Sequence, residues 1–231
     1  MYNINVLVIL LVVFFLGHGC LQEKANTAFL IESHTPEIQL DGIIEESEWS
    51  VASILTNLHS PWVPEKLDST IFRCYISENY FNFCFEVVDR TITVLKYEDE
   101  MSVAKGGRVE LFFSSTPNLS RYYCMEINPY GHVLDYKAEF YRNFDNIWNF
   151  IDLAINSTLT HNGYIVEGRI PILELNKLDI DLSNGFYFGV FRADFTEENK
   201  DSVIWHTWQK PISKEPDFHI SSAFGKSKIN D

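Results

Sequence analysis

The sequence predicts an all-β protein, an antiparallel β-sandwich of jelly-roll-like form with one or two short helices. Three observations predict it. Apolar and polar residues alternate with a period of two in most segments from residue 69 onward. Turn-forming clusters separate the alternating runs, among them Asn128-Pro129-Tyr130-Gly131 and His161-Asn162-Gly163. No series of long helical segments alternates with the strands, which argues against doubly wound and barrel α/β folds. Composition agrees: 46% of the 231 residues are hydrophobic and 15% aromatic, so the chain can bury a substantial core and is not disordered. With 18 Lys+Arg against 32 Asp+Glu, the formal net charge of −14 repels phosphate backbones and excludes general nucleic-acid binding.

The first element is a targeting segment. From Ile4 to Leu16 the chain is apolar apart from Asn5, and it then reads Gly17-His18-Gly19-Cys20. Such a run is too short for a bilayer core of roughly 30 Å, which takes about 20 residues. It suits the apolar region of a secretory signal, with small residues at the cleavage site. The Cys directly after it resembles the lipobox of bacterial lipoproteins, in which Cys20 would carry the acyl chains; plain secretion and an uncleaved anchor are the alternatives. Residues 1–20 are thus expected to be a lipoprotein signal peptide and 21–35 a tether. Residues 36–229 form one sandwich domain, with no internal repeat or second composition regime.

Within that domain Glu45–Ala52 has helical patterning around Trp49, a residue expected in the core. The runs 70–77 and 80–89 then form a hairpin. Antiparallel pairing sets Ile76 opposite Phe81, Cys74 opposite Phe83 and Phe72 opposite Phe85, which brings the two apolar faces together. Cys74 falls in the core and Cys84 on the other face, so these two should not form a disulfide. Val109, Leu111 and Phe113 alternate with Arg108, Glu110 and Ser114; Tyr123, Met125 and Ile127 alternate with Tyr122, Glu126 and Asn128. HVLDYKAEFY follows the Asn128–Gly131 turn. Further strands are expected at 147–155, 164–170, 186–195, 203–208 and 224–229, roughly ten in all. Pro171–Lys177 is expected to be a short helix with Pro171 at its first position.

Taken in order, seven segments resemble the family 9 carbohydrate-binding modules. They are Ile38–Trp49 (IQLDGIIEESEW), Tyr75–Asp89, Val109-Glu110-Leu111-Phe112, and Tyr122–Gly131 with Asp135. After these come Gly163–Pro171, Phe188–Arg192, and a closing stretch of Trp208-Gln209-Lys210-Pro211 with Phe218-His219 and Phe224-Gly225. The resemblance spans nearly 190 residues and implies a non-catalytic, sugar-binding sandwich that takes part in glycan capture or breakdown at the cell envelope. One segment departs from the family pattern. Where members carry a Trp and paired Asp before the VEVF strand, this chain has Ser102-Val103-Ala104-Lys105-Gly106-Gly107-Arg108.

A sugar site needs a flat aromatic for the C–H face and charged or amide groups for the hydroxyl rim. By resemblance Trp208 is the stacking candidate. Glu110, Glu126 and Asn128, on the face opposite the apolar one, and Arg192 in the late strand are the hydroxyl-binding candidates. Trp62, between two prolines, could be exposed, and Trp148 should pack in an apolar strand Ile147–Ile151. Asp89 and Asp135 could hold a structural Ca²⁺; no other cofactor is expected. The expected partners are a poly- or oligosaccharide and, through the lipid anchor, a membrane of the periplasm or cell surface. Glu110 with Glu126 could in principle serve a glycosidase, but GxSxG, HExxH and phosphate-cradling loops are all missing. A structural or partner-binding sandwich that has lost the sugar is the other reading, favoured by the departure before Arg108.

Overall fold

The alternating segments close into two facing sheets. A computed structural model describes residues 28–35, 37–44, 47–56, 58–64, 67–196 and 202–230, so the segment expected to be a signal peptide and Cys20 lie outside the described residues. The larger sheet contains β1 (Phe29–Ile31), β5 (Arg108–Ser114), β6 (Tyr122–Ile127), β7 (Val133–Glu139), β8 (Asn143–Asp145), β11 (Phe186–Phe195), β12 (Val203–Thr207) and β13 (Gly225–Ile229). Its order is β1-β13-β11-β5-β6-β7-β8, with β12 pairing along β11 beyond the β13 contact. The smaller sheet is β2 (Ser53–Leu55), β3 (Thr70–Ile76), β4 (Tyr80–Val88), β10 (Gly163–Pro171) and β9 (Ala154–Thr160), in that order. All pairings are antiparallel except β1 with β13.

The β3–β4 hairpin has the predicted register, with Phe72↔Phe85, Cys74↔Phe83 and Ile76↔Phe81. Its inward residues meet those of the larger sheet: the rings of Phe81 and Phe113 are 5.5 Å apart, and those of Phe72 and Phe188 6.1 Å. Each fully buried Phe of this layer contributes about 1.5–3 kcal/mol by leaving water. The outer faces are also partly covered. Segment 38–49 packs Ile38 and Trp49 onto Tyr75 and Cys84 behind the smaller sheet, which explains why both parities of β3 and β4 carry large apolar residues. Glu167, itself buried, clamps that segment down. It accepts hydrogen bonds from Trp49 Nε1 at 2.7 Å, from Gly42 N at 2.7 Å and from Asp41 N at 3.2 Å. Gly42 has φ +80° and lies so close to Thr158 that a Cβ would fall 2.1 Å from its Oγ1, which only glycine avoids. Cys74, Cys84 and Cys124 are buried and form no disulfide among the described residues.

Three expectations need correction. The stretch 21–35 is not all tether, because Phe29–Ile31 joins the larger sheet as a parallel edge strand. Residues 147–151 form no strand: the run is apolar, but Ile147 is 91% exposed and the chain turns until Ala154. Trp148 still packs inward, against Tyr123 and Phe150 at 5.0 and 4.8 Å. Pro171 caps the helix α2 (Ile172–Lys177) instead of opening it, and among the described residues the helix near Trp49 is α1 (Ser47–Ser50), ending before Val51. No helix among the described residues is long and apolar enough to cross a membrane.

Candidate functional site

The outer face of the larger sheet holds a cavity of about 320 Å³. Its floor follows from strand register. One cross-strand row reads Trp205–Ala193–Arg108, and the next reads Phe191–Glu110–Glu126–Leu134. A third row contains Phe112, Cys124 and Tyr136. The segment 216–224 folds back over this face, where Phe218 stacks on Phe191 at 4.1 Å and 12°. The cavity therefore lies between a β floor and a loop wall, with Phe144 and Met101 at its side.

A single cation organises the floor. Arg108 pairs with Glu110 Oε1 at 2.9 Å through Nη2 and with Glu126 Oε2 through Nε. Its Nη1 donates to the carbonyls of Ala104 at 3.0 Å and Gly106 at 3.2 Å. The guanidinium also lies 5.6 Å from the centre of the half-buried Trp205 ring, a cation–π contact. Tyr136 donates its hydroxyl to Glu126 Oε1 at 2.9 Å. Two carboxylates offer about eight lone-pair sites, so acceptor capacity remains after these bonds. Burial, and then the neighbouring Glu126 carboxylate, push the Glu110 carboxyl up to about 8. Burial likewise lowers His219 to about 3, keeping it a neutral partner of the Tyr122 hydroxyl at 3.1 Å. At the rim, Arg142 pairs with Asp217 at 2.8 Å, and the Tyr141 hydroxyl donates to the same carboxylate at 2.7 Å. The arrangement offers donors, acceptors and aromatic walls within one small volume.

Of the residues singled out from sequence, Glu110 and Glu126 meet here and the other three do not. Arg192 has the opposite parity on β11, so it points between the sheets. There it is fully buried, pairing with Asp89 at 3.2 Å and Asp194 at 3.0 Å and donating to Thr70 Oγ1 and the Val88 carbonyl. Asn128 is the pivot of a turn, accepting from Tyr130 N at 3.0 Å and His132 N at 3.1 Å. Trp208 packs into the sandwich against Phe188 at 4.7 Å and Phe29 at 5.6 Å, with its ring filling the space above Gly225. Of the residues considered for Ca²⁺, Asp89 serves Arg192, and Asp135 accepts from Asn149 Nδ2 and Phe150 N. Among the described residues no group of three or more His, Cys, Asp or Glu is arranged to hold a metal ion.

Sequence reasoning missed Arg108, Trp205, Tyr136 and Phe218. The signal for Arg108 and Tyr136 was available, since both share strand parity with Glu110 or Glu126. Trp205 needed the β11–β12 register, and Phe218 lies in a loop without periodicity. Trp62, which by its place between two prolines could have been exposed, packs partly buried near Phe218 at 6.2 Å.

Comparison with known proteins adds to this geometry. A family model described as carbohydrate family 9 binding domain-like matches residues 40–231. No curated protein matches the chain. Among solved structures, two from Caldicellulosiruptor kristjanssonii are similar, each a family 9 carbohydrate-binding module. The one in complex with glucose is 14% identical, covering 87% of this chain and 95% of that one with a TM-score of 0.58. The one in complex with cellotriose is 14% identical, covering 88% and 93% with a TM-score of 0.62. A candidate carbohydrate-binding protein from Bacteroides uniformis is 15% identical, covering 87% of this chain and all of the other, with a TM-score of 0.62.

Proposed function

Because the chain belongs to the carbohydrate family 9 binding domain-like family, we propose that its cavity on the outer face of the larger sheet binds a sugar ring without cleaving it. The observation that carries this reading is the cluster at the floor: one buried Arg holding two buried carboxylates, beside the half-buried indole of Trp205. Charged groups fixed in this way make strong, directional hydrogen bonds to hydroxyls. The glucose and cellotriose complexes of the similar modules support a neutral oligosaccharide as the ligand class. Cleavage is disfavoured by position. A glycosidase sets its carboxyl groups on either side of the scissile bond, whereas Glu110 and Glu126 are cross-strand partners on one wall and share one cation.

Calorimetry with neutral oligosaccharides chosen from a glycan array tests the site. Trp205→Ala is expected to weaken binding about tenfold or more. Trp208→Ala is expected to lower stability while the folded fraction binds as before. The reverse pattern would move the site away from the cavity.

A second reading has an observation of its own. The 3₁₀ turn Glu100–Lys105 brings Met101 and Ala104 to the cavity wall in place of an aromatic ring. That favours a partner-binding sandwich that no longer holds sugar, and an array on which no glycan is retained would select it.

The apolar run Ile4–Leu16 ending at Cys20 supports a lipid-anchored protein that captures polysaccharide at the cell envelope, in the service of its breakdown. Labelling of producing cells with a radioactive fatty acid checks the anchor. The label should enter the protein and be lost in Cys20→Ser; equal labelling of both would remove Cys20 as the attachment point.

A further inference from the structure

The two faces of β11 and β12 border different spaces. Trp205 faces outward to the cavity, whereas the cross-strand rows Arg192–His206 and Asp194–Ile204 face the interior. At the end of the sandwich, where β4 and β11 leave the core, this inner side opens into a hollow of about 430 Å³. Asp68 and Asp89 line it from the smaller sheet, and Asp194 and His206 from the larger, with Leu67 and Ile204 as apolar neighbours. None of these residues lines the cavity on the outer face.

The charges of this hollow do not balance. Arg192 meets Asp89 at 3.2 Å and Asp194 at 3.0 Å through a single nitrogen, Nη2, so one cation serves two carboxylates. Asp68 adds a third carboxylate. Arg90, the hollow's other cation, is exposed and forms no ion pair among the described residues. A second observation is independent of the charge. His206 is 1% exposed, and neither of its ring nitrogens has a hydrogen-bond partner among the described residues. Asp194 Oδ2 lies 3.7 Å from its Nε2, beyond hydrogen-bond reach. Burial lowers the pKa of His206, so the ring stays neutral and one nitrogen keeps an accepting lone pair. A buried polar group in this state calls for a partner.

We propose that this hollow binds a primary ammonium group on a short apolar stem, as in a diamine or a lysine side chain, with Asp89, Asp194 and His206 accepting its three N–H bonds. An –NH₃⁺ group has three donors and no acceptor, which matches a set made of acceptors alone. It also supplies the positive charge that Arg192 cannot provide twice. Leu67 and Ile204 offer apolar surface to the methylene stem. An alcohol would bring the hydrogen bond without the charge, and a quaternary ammonium the charge without the hydrogen bonds. Because the hollow shares no residue with the cavity, this site stands whether or not the cavity takes sugar.

NMR titration of the full chain, following the amide signal of Asp194 and the ring signals of His206, tests this with five probes: cadaverine, Nα-acetyl-lysine methylamide, 1-pentanol, pentyltrimethylammonium and calcium chloride. Cadaverine is expected to shift these signals and to bind about tenfold tighter, or more, than 1-pentanol and pentyltrimethylammonium. The lysine derivative separates the two sources: affinity equal to that of cadaverine assigns the group to a protein chain, and a weaker one to a free diamine. His206→Phe should weaken cadaverine binding about tenfold with little change in melting temperature, because the imidazole makes no hydrogen bond in the fold. Asp68→Asn, at an exposed position that the fold does not need, should also weaken it, and Arg90→Gln should tighten it by removing a competing charge. No response to cadaverine, an equal affinity for the alcohol or the quaternary ion, or calcium displacing cadaverine overturns the ammonium site. So does undiminished binding in His206→Phe or, where that variant fails to fold, in Asp68→Asn.

Discussion

Arg108 brings one positive charge to two carboxyl groups, and Glu110 is left the less compensated of the two. Burial and the adjacent Glu126 lift its carboxyl from an ordinary 4.5 to about 8. The folded chain thus holds this proton more tightly than the unfolded chain does. The associated stabilisation is complete below about pH 4.5 and is lost as pH rises through about 8. Glu110→Gln should therefore flatten the fall in melting temperature between those limits, as followed by thermal unfolding at stepped pH; an unchanged slope would assign the proton elsewhere. At this scale the sequence was partly legible. Glu110 and Glu126 could be found because alternation fixes parity, and parity alone puts them on the outer face. The same rule, applied to β11, puts Arg192 on the inner face, a consequence the choice of Arg192 as a sugar ligand overlooked; a cation buried there needs carboxylates more than it needs a ligand. Trp205 and Trp208 are three positions apart, so alternation puts them on opposite faces, and one lines the cavity while the other enters the core.

Elements with a strict period of two were read correctly, down to the β3–β4 register. Those that failed are segments in which apolar content and strand pairing do not go together. The stretch 147–151 is as apolar as a strand, yet it turns across the sandwich end because Asp135 binds its backbone at Phe150 N. Strand β1 failed for the opposite reason: three residues are too few to show alternation, and only the β13 edge gives them a place. Its contribution is substantial. Ile31 is fully buried, and the Phe29 ring packs on Phe188 at 5.8 Å and on Trp208 at 5.6 Å. A chain that begins at residue 34 should be less stable than one that begins at residue 21 by roughly 3 to 6 kcal/mol, the value of burying two large apolar side chains. Urea unfolding of the two forms measures the difference, and matching midpoints would make the strand an ornament of the edge.

For the whole molecule, the aromatic content has a structural explanation with a small functional remainder. Phe81, Phe85, Phe113 and Phe188 fill the space between the sheets, and Phe112, Tyr122, Phe191 and Phe224 form a second apolar layer under the 216–224 segment. Composition could announce a two-sheet core, but the second layer was hidden, since a sandwich with one solvated outer face would have served the alternation equally well. The layer matters because it seats the loop that walls the cavity.

The parallel pairing of β1 with β13 has a mechanical side. Phe29, Leu30 and Ile31 lie beside Ser227, Lys228 and Ile229, and Asn230 N donates to the Ile31 carbonyl at 2.8 Å. The cavity over β5 and β6, proposed above to hold glycan, lies about 15 to 20 Å away across the sheet, at roughly 4.8 Å per strand. A pull on the chain ahead of Phe29, balanced by drag at that cavity, would draw β1 along its own axis. The load then falls on all the β1–β13 hydrogen bonds together, in shear, and the seam resists sliding where a hairpin edge would unzip bond by bond.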